Sequence, residues 1–367
     1  MTSEPHQSPR TMEGDSQWPG PDRGYMLDPG FADSGRGQTM IAQFWRKTGF
    51  RLLAAAMLAL GSGAVTVQAA EKVVVAVTAI DDHPALIACR NGIRDALRAA
   101  GYEDGKNLTF VYESAKGDAD TATQIARRFA KKKPDVIVPI STPSALAVVR
   151  ATIGIPVVFA AVTDPLGAKL VRDMHAPGGN VTGVSDLSPV TTHIELIEAI
   201  TPGARKIGVL FNPLESNSHT LVYLMKKAAM GANMTIVEAP ARKTSDVPTA
   251  VQGLISKADV IFVPTDNTIV PMLDTVVKIG LDHGMPVYAG DIDATKRGAI
   301  AAIGLDYYNV GRQTGNIVVR ILRGEKPGSI PVTVADKTNL YVNPTIAAEM
   351  GLTIPEDVLS QADEIIK

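Results

Sequence analysis

The centre of the chain reads VTDPLGAKLV at residues 162–171 and GGNVTGVSD at residues 178–186. A short apolar run, 156–161, precedes the first motif, and the glycine-rich second motif ends on Ser185 and Asp186. One series of alternating strand and helix patterns lies before this pair of motifs, and a second series of similar size lies after it. We therefore interpret the pair as the rim of a cleft and the first crossing between two lobes that close on a small molecule.

The composition sets the class of protein. The chain has 367 residues, of which 45% are hydrophobic, and its formal net charge is −2. This length is sufficient for two domains of ordinary size. The nearly balanced charge argues against a nucleic-acid-binding protein, which would carry a basic excess or a basic stripe.

The first seventy residues differ from the rest. Residues 1–39 are rich in Gly, Pro, Ser and Asp and show no apolar periodicity, so we predict a disordered or mis-annotated extension, with Met40 as a plausible start. Residues 40–70 combine a basic segment, an apolar run from Leu52 to about Val67 and a small-residue exit, which predicts a cleavable secretory signal peptide. The alternative is a single membrane anchor, but Gly-Ser-Gly interrupts the run, which is shorter than a span of about 20 residues.

The chain has one cysteine, Cys89. It lies within a helical pattern, where a buried small hydrophobic residue is a better interpretation than a nucleophile. No disulfide can form within one chain, and the apolar segment of the signal peptide does not end on a lipid-accepting cysteine. We therefore expect an exported, unlipidated protein that diffuses in the periplasm.

The remainder alternates between strand and helix patterns. The run KVVVAVT at 72–78 is continuous and β-branched, as in a strand buried on both faces. Further strands are predicted at 108–113, 135–140, 156–161, 207–211, 234–238, 259–263, 286–289 and 300–305. Helical patterns lie between them, so the predicted fold class is α/β, with two doubly wound parallel-sheet lobes.

Polar residues follow many of these strands. Parallel α/β sheets bind ligands beyond the carboxyl ends of their strands. Hydroxyl groups and helix N-termini suit a carboxylate, and carboxylates suit an ammonium group, so the set favours a zwitterion such as an amino acid. The predicted ligand-binding residues are His83, Ser141, Thr142, Asp186, Glu215, Asn217, Thr265, Asp266, Asn267 and Asp291.

Each of these residues also has a purely structural interpretation. His83 could close its own loop, Ser141 and Thr142 could cap a helix, and Asn267 could do the same. Asp291 is the preferred partner for an ammonium group, with Asp186 as the alternative.

Three further groups are expected to be structural. Asp164 is expected to order its own turn, and Tyr307 and Tyr308 to pack against the hinge. Phe159, Phe211 and Phe262 are expected in the core.

The chain from about Ala70 to Lys367 resembles the ABC-transporter substrate-binding protein family that includes tryptophan- and tyrosine-binding proteins. The matching motifs are HPAL (83–86), VTDPLGAKLV (162–171), GGNVTGVSD (178–186), NPLESNS (212–218), VPTDNTI (263–269) and GLDYYNVGRQTG (304–315). The chain departs from the family pattern at Ile87 and in AGDIDATKRGA (289–299).

The resemblance implies the type I periplasmic binding fold, with three crossings between the lobes and ligand held between them. On that basis lobe 1 is expected at 71–186 plus 305–328, and lobe 2 at 187–304 plus 329–367.

The resulting prediction is a periplasmic solute-binding component of an ABC importer that binds an amino acid, expected to be aromatic. Its expected partners are that ligand and an ABC permease in the inner membrane, with no nucleic acid, cofactor or metal. A periplasmic accessory to a ligand-sensing receptor is one alternative. An α/β enzyme is the other, although the sequence has no G-x-S-x-G, H-E-x-x-H, P-loop or C-x-x-C motif.

Overall fold

The computed structural model describes residues 72–335 and 337–367. The predicted extension (1–39) and signal peptide (40–70) lie outside these residues, so both stay predictions. In the part of the chain that the structure describes, no helix is both long enough and apolar enough to cross a membrane.

Nine strands fall where the apolar runs predict them, whereas β5, in the glycine-rich second motif, and three strands near the C-terminus lie outside those runs. They are β1 (Val73–Ala79), β2 (Leu108–Ser114), β3 (Val136–Ile140), β4 (Val157–Phe159), β5 (Val181–Ser185), β6 (Lys206–Phe211), β7 (Thr235–Pro240), β8 (Val260–Val263), β9 (Val287–Ala289), β10 (Ala301–Leu305), β11 (Thr333–Val334), β12 (Thr338–Val342) and β13 (Glu364–Ile365).

The α-helices lie between these strands and after them. They are α1 (Pro84–Ala99), α2 (Ala119–Lys132), α3 (Thr142–Ala151), α4 (Val190–Ile200), α5 (Ser216–Gly231), α6 (Val247–Gln252), α7 (Leu273–Asp282), α8 (Tyr307–Leu322), α9 (Pro344–Glu349) and α10 (Glu356–Gln361). A 3₁₀ helix, Ile292–Arg297, follows β9.

The strands form two sheets, one for each lobe. The first sheet is parallel, with the order β11-β5-β4-β3-β1-β2, and the second has the order β13-β12-β10-β9-β8-β6-β7. In the second sheet only the β10–β12 pair is antiparallel. The predicted fold class of two parallel-sheet α/β lobes is therefore confirmed.

The two lobes share one strand order. In each lobe the second strand lies at the edge, the first lies inside it, and the third, fourth and fifth follow on the other side. The order reverses between the first and third strands, and in open α/β sheets ligands bind in the crevice at this point. The loops after β1 and β3 therefore form the switch point of lobe 1, and those after β6 and β8 form that of lobe 2.

The chain crosses between the sheets three times, after β5, after β10 and after β11. The third crossing comes later than the boundary predicted at 329, because Thr333 and Val334 pair with β5 in the first sheet. Thr338 is the first residue after this crossing to pair with the second sheet.

Helices α1 and α8 pack closely in lobe 1. A Cβ atom on Gly311 would lie 2.0 Å from the backbone oxygen of Cys89, so only glycine fits at this contact. Cys89 itself is fully buried, as its place in a helical pattern predicts. The close crossing fixes the start of α8 beside the start of α1, and both helix starts border the space between the lobes.

Candidate functional site

The switch points of the two lobes border one space, which we call the main cavity. About 380 Å³ is free of protein atoms there. It is lined by His83, Ala85, Leu86, Ser141, Thr142, Ala161, Thr163, Asp186, Asn217, Thr265, Asp266, Asn267, Val270, Asp291 and Tyr307. The structure thus brings together nine of the ten predicted residues, and Glu215 is the exception.

The lobe 1 wall presents hydroxyl groups without partners. Ser141 precedes α3 with φ 79°, and its side chain makes no capping hydrogen bond. The Ser141 Oγ and Thr142 Oγ1 atoms are buried and have no hydrogen-bond partner among the described residues. The alternative that Ser141 merely caps α3 is therefore wrong, and the free hydroxyls and helix N-terminus can accept an anionic group.

Backbone strain is concentrated at the same wall. Ser141 and Ala161 both have positive φ values, 79° and 52°, which residues with a side chain rarely adopt. Ala161 is the neighbour of Ala160, whose carbonyl oxygen accepts a hydrogen bond from Ser141 N at 2.9 Å. Such strain persists where the surrounding structure enforces it, and it is common at ligand-binding sites.

His83 lies at the N-terminus of α1 and makes no capping bond with its side chain. Its Nδ1 atom is buried and has no partner among the described residues. Burial lowers the pKa of His83 to about 4, so the imidazole is neutral at pH 7. A neutral imidazole in the wall can donate or accept one hydrogen bond to a ligand.

Asp186 lies at the first crossing between the lobes and is 7% exposed. Tyr307 donates a hydrogen bond from its hydroxyl to Asp186 Oδ2 at 2.9 Å, while Asp186 Oδ1 is buried without a partner. Burial raises the pKa of this carboxyl group. An unpaired buried carboxylate oxygen is costly, so a cationic or hydrogen-bonding ligand group would stabilise it.

Tyr307 is a site residue that the sequence prediction assigned to the hinge. It lines the main cavity and holds Asp186, whereas Tyr308 points away and donates to Asp95 Oδ2 at 3.0 Å. The available signal was its position two residues after β10, at the start of a helix that follows a predicted strand. Thr163 also lines the cavity, and its place two residues after the apolar run 156–161 gave the same signal.

Asp291 follows β9 and is 7% exposed. Its Oδ1 atom accepts a hydrogen bond from Asp293 N at 3.1 Å. Burial raises the pKa of Asp291 to about 6, with a smaller upward contribution from the charge of Asp293 and a downward one from Arg297. Asp291 and Asp186 are therefore two carboxyl groups in the cavity wall that are not saturated by protein donors.

Asp266 is buried, but its carboxylate is fully engaged within lobe 2. Oδ2 accepts hydrogen bonds from Asn212 N and Ser218 Oγ, both at 2.6 Å, and Oδ1 accepts from Thr268 N and Ile269 N. These bonds tie the loop after β6 to the loop after β8. Asp266, rather than Asn267, therefore accepts the backbone N–H groups at this turn.

Glu215 lies behind the cavity wall. Its carboxylate accepts hydrogen bonds from Asn267 Nδ2 at 2.6 Å and Thr268 Oγ1 at 2.9 Å, and longer ones from Asn212 Nδ2 and Asn217 Nδ2. Burial and then the charge of Asp266 raise the pKa of Glu215 to about 7. The structure thus gives Glu215 a positioning role toward two cavity residues, Asn217 and Asn267.

Asn217 faces the cavity with its oxygen. Because its Nδ2 donates to Glu215 Oε2, the amide oxygen Oδ1 is left buried without a partner. An amide oxygen in this position can accept a hydrogen bond from an ammonium group. None of the described residues that line the main cavity is a lysine or an arginine.

One hydrogen bond joins the lobes beside the cavity. Thr220 Oγ1 of α5 donates to Asp164 Oδ2 at 3.2 Å, and Asp164 Oδ1 accepts from Gly167 N within its own turn. The lobes also share an outer groove, whose walls include Lys116, Arg127 and Arg150 from lobe 1 and Leu214 and Arg242 from lobe 2.

Known proteins resemble this chain over nearly all of the described residues. The family model described as "ABC transporter substrate binding protein" matches residues 74–366. A tyrosine-binding protein of Clostridioides difficile (strain R20291) is 38% identical over 269 residues, which cover 73% of this chain and 78% of the relative.

Two solved structures were compared with this chain over both lobes. An ABC domain in complex with L-Trp from Streptococcus pneumoniae is 36% identical, with a TM-score of 0.79, and the match covers 81% of this chain and 100% of that one. A ligand-free, open substrate-binding protein from Clostridium difficile is also 36% identical, covers 80% and 99%, and has a TM-score of 0.62.

Identity and coverage are nearly equal in the two comparisons, and the TM-score is higher for the structure in complex with L-Trp. The matched family model, the relative and the shared two-lobed fold give one conclusion: the chain belongs to the ABC transporter substrate-binding protein family.

Proposed function

We propose that this protein is the solute-binding component of an ABC importer and that it carries an aromatic amino acid in the main cavity. It would bind the amino acid between its lobes in the periplasm and deliver it to a permease in the inner membrane. The protein's own part in this process is binding and release, without a chemical step.

The observation that carries the proposal is the distribution of charge and of unpaired polar atoms in the cavity. Asp186 and Asp291 present carboxyl oxygens, Asn217 presents an amide oxygen, and no lysine or arginine lines the described wall. These groups suit an ammonium group. The hydroxyls of Ser141 and Thr142 and the start of α3 suit a carboxylate. A zwitterionic amino acid satisfies both walls at once.

The aromatic character of the ligand is proposed from the relatives. The 38%-identical relative is a tyrosine-binding protein, and the 36%-identical structure holds L-Trp. We therefore expect this chain to bind the same class of ligand, an amino acid with an aromatic side chain.

The proposed location follows from the pattern of residues 40–70, which is typical of an exported protein. Its lack of a lipid-accepting cysteine favours a freely diffusing form that meets its permease by collision. The cell fraction that holds the mature protein, and the mass of that protein, test this part of the proposal directly.

The binding step is tested by calorimetric titration. The protein is unfolded and refolded to remove any carried-over ligand, then titrated with the twenty amino acids and a set of small carboxylates. We expect one-to-one binding of tyrosine, tryptophan or phenylalanine. Binding of another solute class alone would keep the fold and refute the proposed ligand.

The transport step needs a separate test in the native cell. We expect deletion of the gene to reduce uptake of the labelled amino acid that binds in the titration, and the intact gene to restore it. Unchanged uptake of every ligand that binds would refute the importer role, and a lost behavioural or transcriptional response would then favour a receptor accessory.

A further inference from the structure

A second recess lies in lobe 2 next to the main cavity, and we call it the side pocket. It has about 220 Å³ free of protein atoms. Its walls come from the first crossing segment, from α4 and α5, and from the ends of β8 and β9. They consist of Ser188, Val190, His193, Leu221, Met225, Phe262, Pro264, Thr265 and Gly290.

The two spaces have a wall in common. Thr265 lines both of them, and Gly290 in the side pocket directly precedes Asp291 in the main cavity. A ligand that is held by Asp291 in the main cavity is therefore one residue away from the side pocket.

The two spaces differ in chemistry. The main cavity holds the carboxyl groups and free hydroxyls, whereas the side pocket is apolar over most of its wall, from Val190, Leu221, Met225 and Phe262. These four residues are each at least 93% buried. An aromatic amino acid has one zwitterionic end and one apolar ring, and the two spaces match these two parts.

Ser188, His193 and Thr265 are the polar residues of this wall, and His193 has an unpartnered polar atom. His193 is 3% exposed, its ring centroid lies 4.9 Å from that of Phe262, and its Nδ1 atom is buried with no partner among the described residues. Its other nitrogen, Nε2, lies 3.3 Å from Ser188 Oγ. A buried polar atom without a partner is costly unless a ligand or water satisfies it.

The protonation state of His193 decides whether its Nδ1 atom donates or accepts a hydrogen bond. Burial lowers the pKa of His193 to about 4, so the ring is neutral at pH 7 and carries a single N–H group. When Nε2–H donates to Ser188 Oγ, Nδ1 carries a lone pair and is an acceptor. It is then complementary to a phenol O–H or an indole N–H, and phenylalanine has no such donor.

We propose that the side pocket receives the ring of the bound amino acid and that His193 accepts a hydrogen bond from a donor on that ring. The protein would thereby select tyrosine and tryptophan over phenylalanine. This inference rests on the function proposed above and adds to it a specificity-determining residue and a place for the ligand side chain.

The test compares tyrosine, tryptophan and phenylalanine by calorimetric titration of the full-length chain, stripped of ligand. We expect wild-type protein to bind tyrosine and tryptophan at least tenfold more tightly than phenylalanine. In His193→Leu we expect the affinities for tyrosine and tryptophan to fall about ten- to hundredfold, with the affinity for phenylalanine unchanged or higher. His193→Asn, which keeps a polar side chain at this position, is expected to retain part of the preference.

Two further variants make the test decisive. Val190→Phe reduces the volume of the side pocket from a different wall, and we expect it to weaken the binding of all three aromatic amino acids. His175→Leu, at an exposed position in lobe 1, is the matched control and should change none of the three affinities. Circular dichroism and thermal melting establish that each variant is folded, and Val190→Phe serves if His193→Leu does not fold.

The outcomes separate this inference from the proposed function. Wild-type protein that binds no aromatic amino acid would refute both. Wild-type protein that binds them, with the ratio of tyrosine to phenylalanine affinity unchanged in folded His193→Leu, would refute the role of His193 alone. Full aromatic affinity in Val190→Phe would refute the placement of the ring in the side pocket.

Discussion

The two lobes share one strand order but treat the polar groups at their switch points in opposite ways. In lobe 1, Ser141 and Thr142 leave buried hydroxyls without partners, and the backbone of Ser141 is held at positive φ. In lobe 2, the carboxylates of Asp266 and Glu215 are each engaged by several donors from the loops around them. The same topology therefore places unpartnered hydroxyls at the switch point of lobe 1 and internally hydrogen-bonded carboxylates at that of lobe 2.

This difference indicates that the two switch points contribute differently to stability and to ligand binding. Lobe 2 is ordered by its own network, so its cavity residues are held in place before a ligand arrives. Lobe 1 and the crossing at Asp186 hold unpartnered hydroxyl and carboxyl groups, and in lobe 2 the groups left for a ligand are those outside this network, Asn217 Oδ1 and Asp291. Substitutions in the Asp266–Glu215 network should therefore act first on stability, and substitutions of the unpartnered groups should act on binding.

The largest effect is expected from Asp266→Ala. The substitution leaves Asn212 N, Ser218 Oγ, Thr268 N and Ile269 N without their acceptor, and each buried unsatisfied donor is costly. We expect the free energy of unfolding to fall by about 3 kcal/mol. Urea unfolding followed by circular dichroism measures it, and a loss below about 1 kcal/mol would contradict the role assigned to this network.

The next effect is a dependence of binding on pH. Burial raises the pKa of Asp291 to about 6, so below that pH the ligand-free carboxyl is neutral and must lose its proton to pair with an ammonium group. Affinity should therefore fall as the pH decreases, by about tenfold between pH 7 and pH 5 for one such group.

Titrations in buffers of different ionisation enthalpy measure the proton released on binding. In Asp291→Asn we expect weaker binding, because one carboxyl group for the ammonium group is lost and Asp186 remains. We also expect a flatter pH profile, because the carboxyl group with a pKa of about 6 is absent. A profile that is equally steep in this variant would assign the titration to Asp186, whose pKa burial also raises.

The double variant Ser141→Ala, Thr142→Val tests the unpartnered hydroxyls at the switch point of lobe 1. Neither hydroxyl has a protein partner, so the free energy of unfolding should change by less than about 0.5 kcal/mol. Binding should weaken about five- to tenfold, because a ligand carboxylate loses two donors. Ser144→Ala is the matched control, since the Ser144 hydroxyl is also buried and unpartnered but does not line the cavity.

The smallest effect is expected from Thr220→Val, which removes the hydrogen bond from Thr220 to Asp164 between the lobes. A partly exposed bond of this kind contributes little, so we expect a two- to threefold weaker affinity through a less stable closed form. Thr249→Val, at an exposed position on α6, is the control. Equal affinities for the two variants would show that this bond does not favour closure.

The sequence predicted most of the strands, and the residues that it selected for the site lie close together, for physical reasons. Strands buried on both faces appear as continuous apolar runs, such as 72–78 and 259–263, and the polar residues that follow them must lie at one edge of a parallel sheet. Nine of the ten predicted residues line one cavity for this reason.

The orientation of individual side chains could not be predicted. Glu215 and Asn217 lie two residues apart at the start of α5, and only their packing decides that Asn217 faces the cavity while Glu215 supports it from behind. Phe262 is buried as expected, but it also lines the side pocket, which depends on its contact with His193 from a distant helix. The pairing of β11 with β5 likewise joins residues that are far apart in sequence.

The single cysteine makes the protein suitable for an optical sensor. Cys89 is 0% exposed at the α1–α8 contact, and burial raises the pKa of its thiol, so labelling reagents would not react with it in the folded protein. A cysteine introduced at the rim of the outer groove, for example Leu214→Cys at a side chain that is 73% exposed, would then be the single labelled site. A dye at this position would report lobe movement without removal of the native thiol.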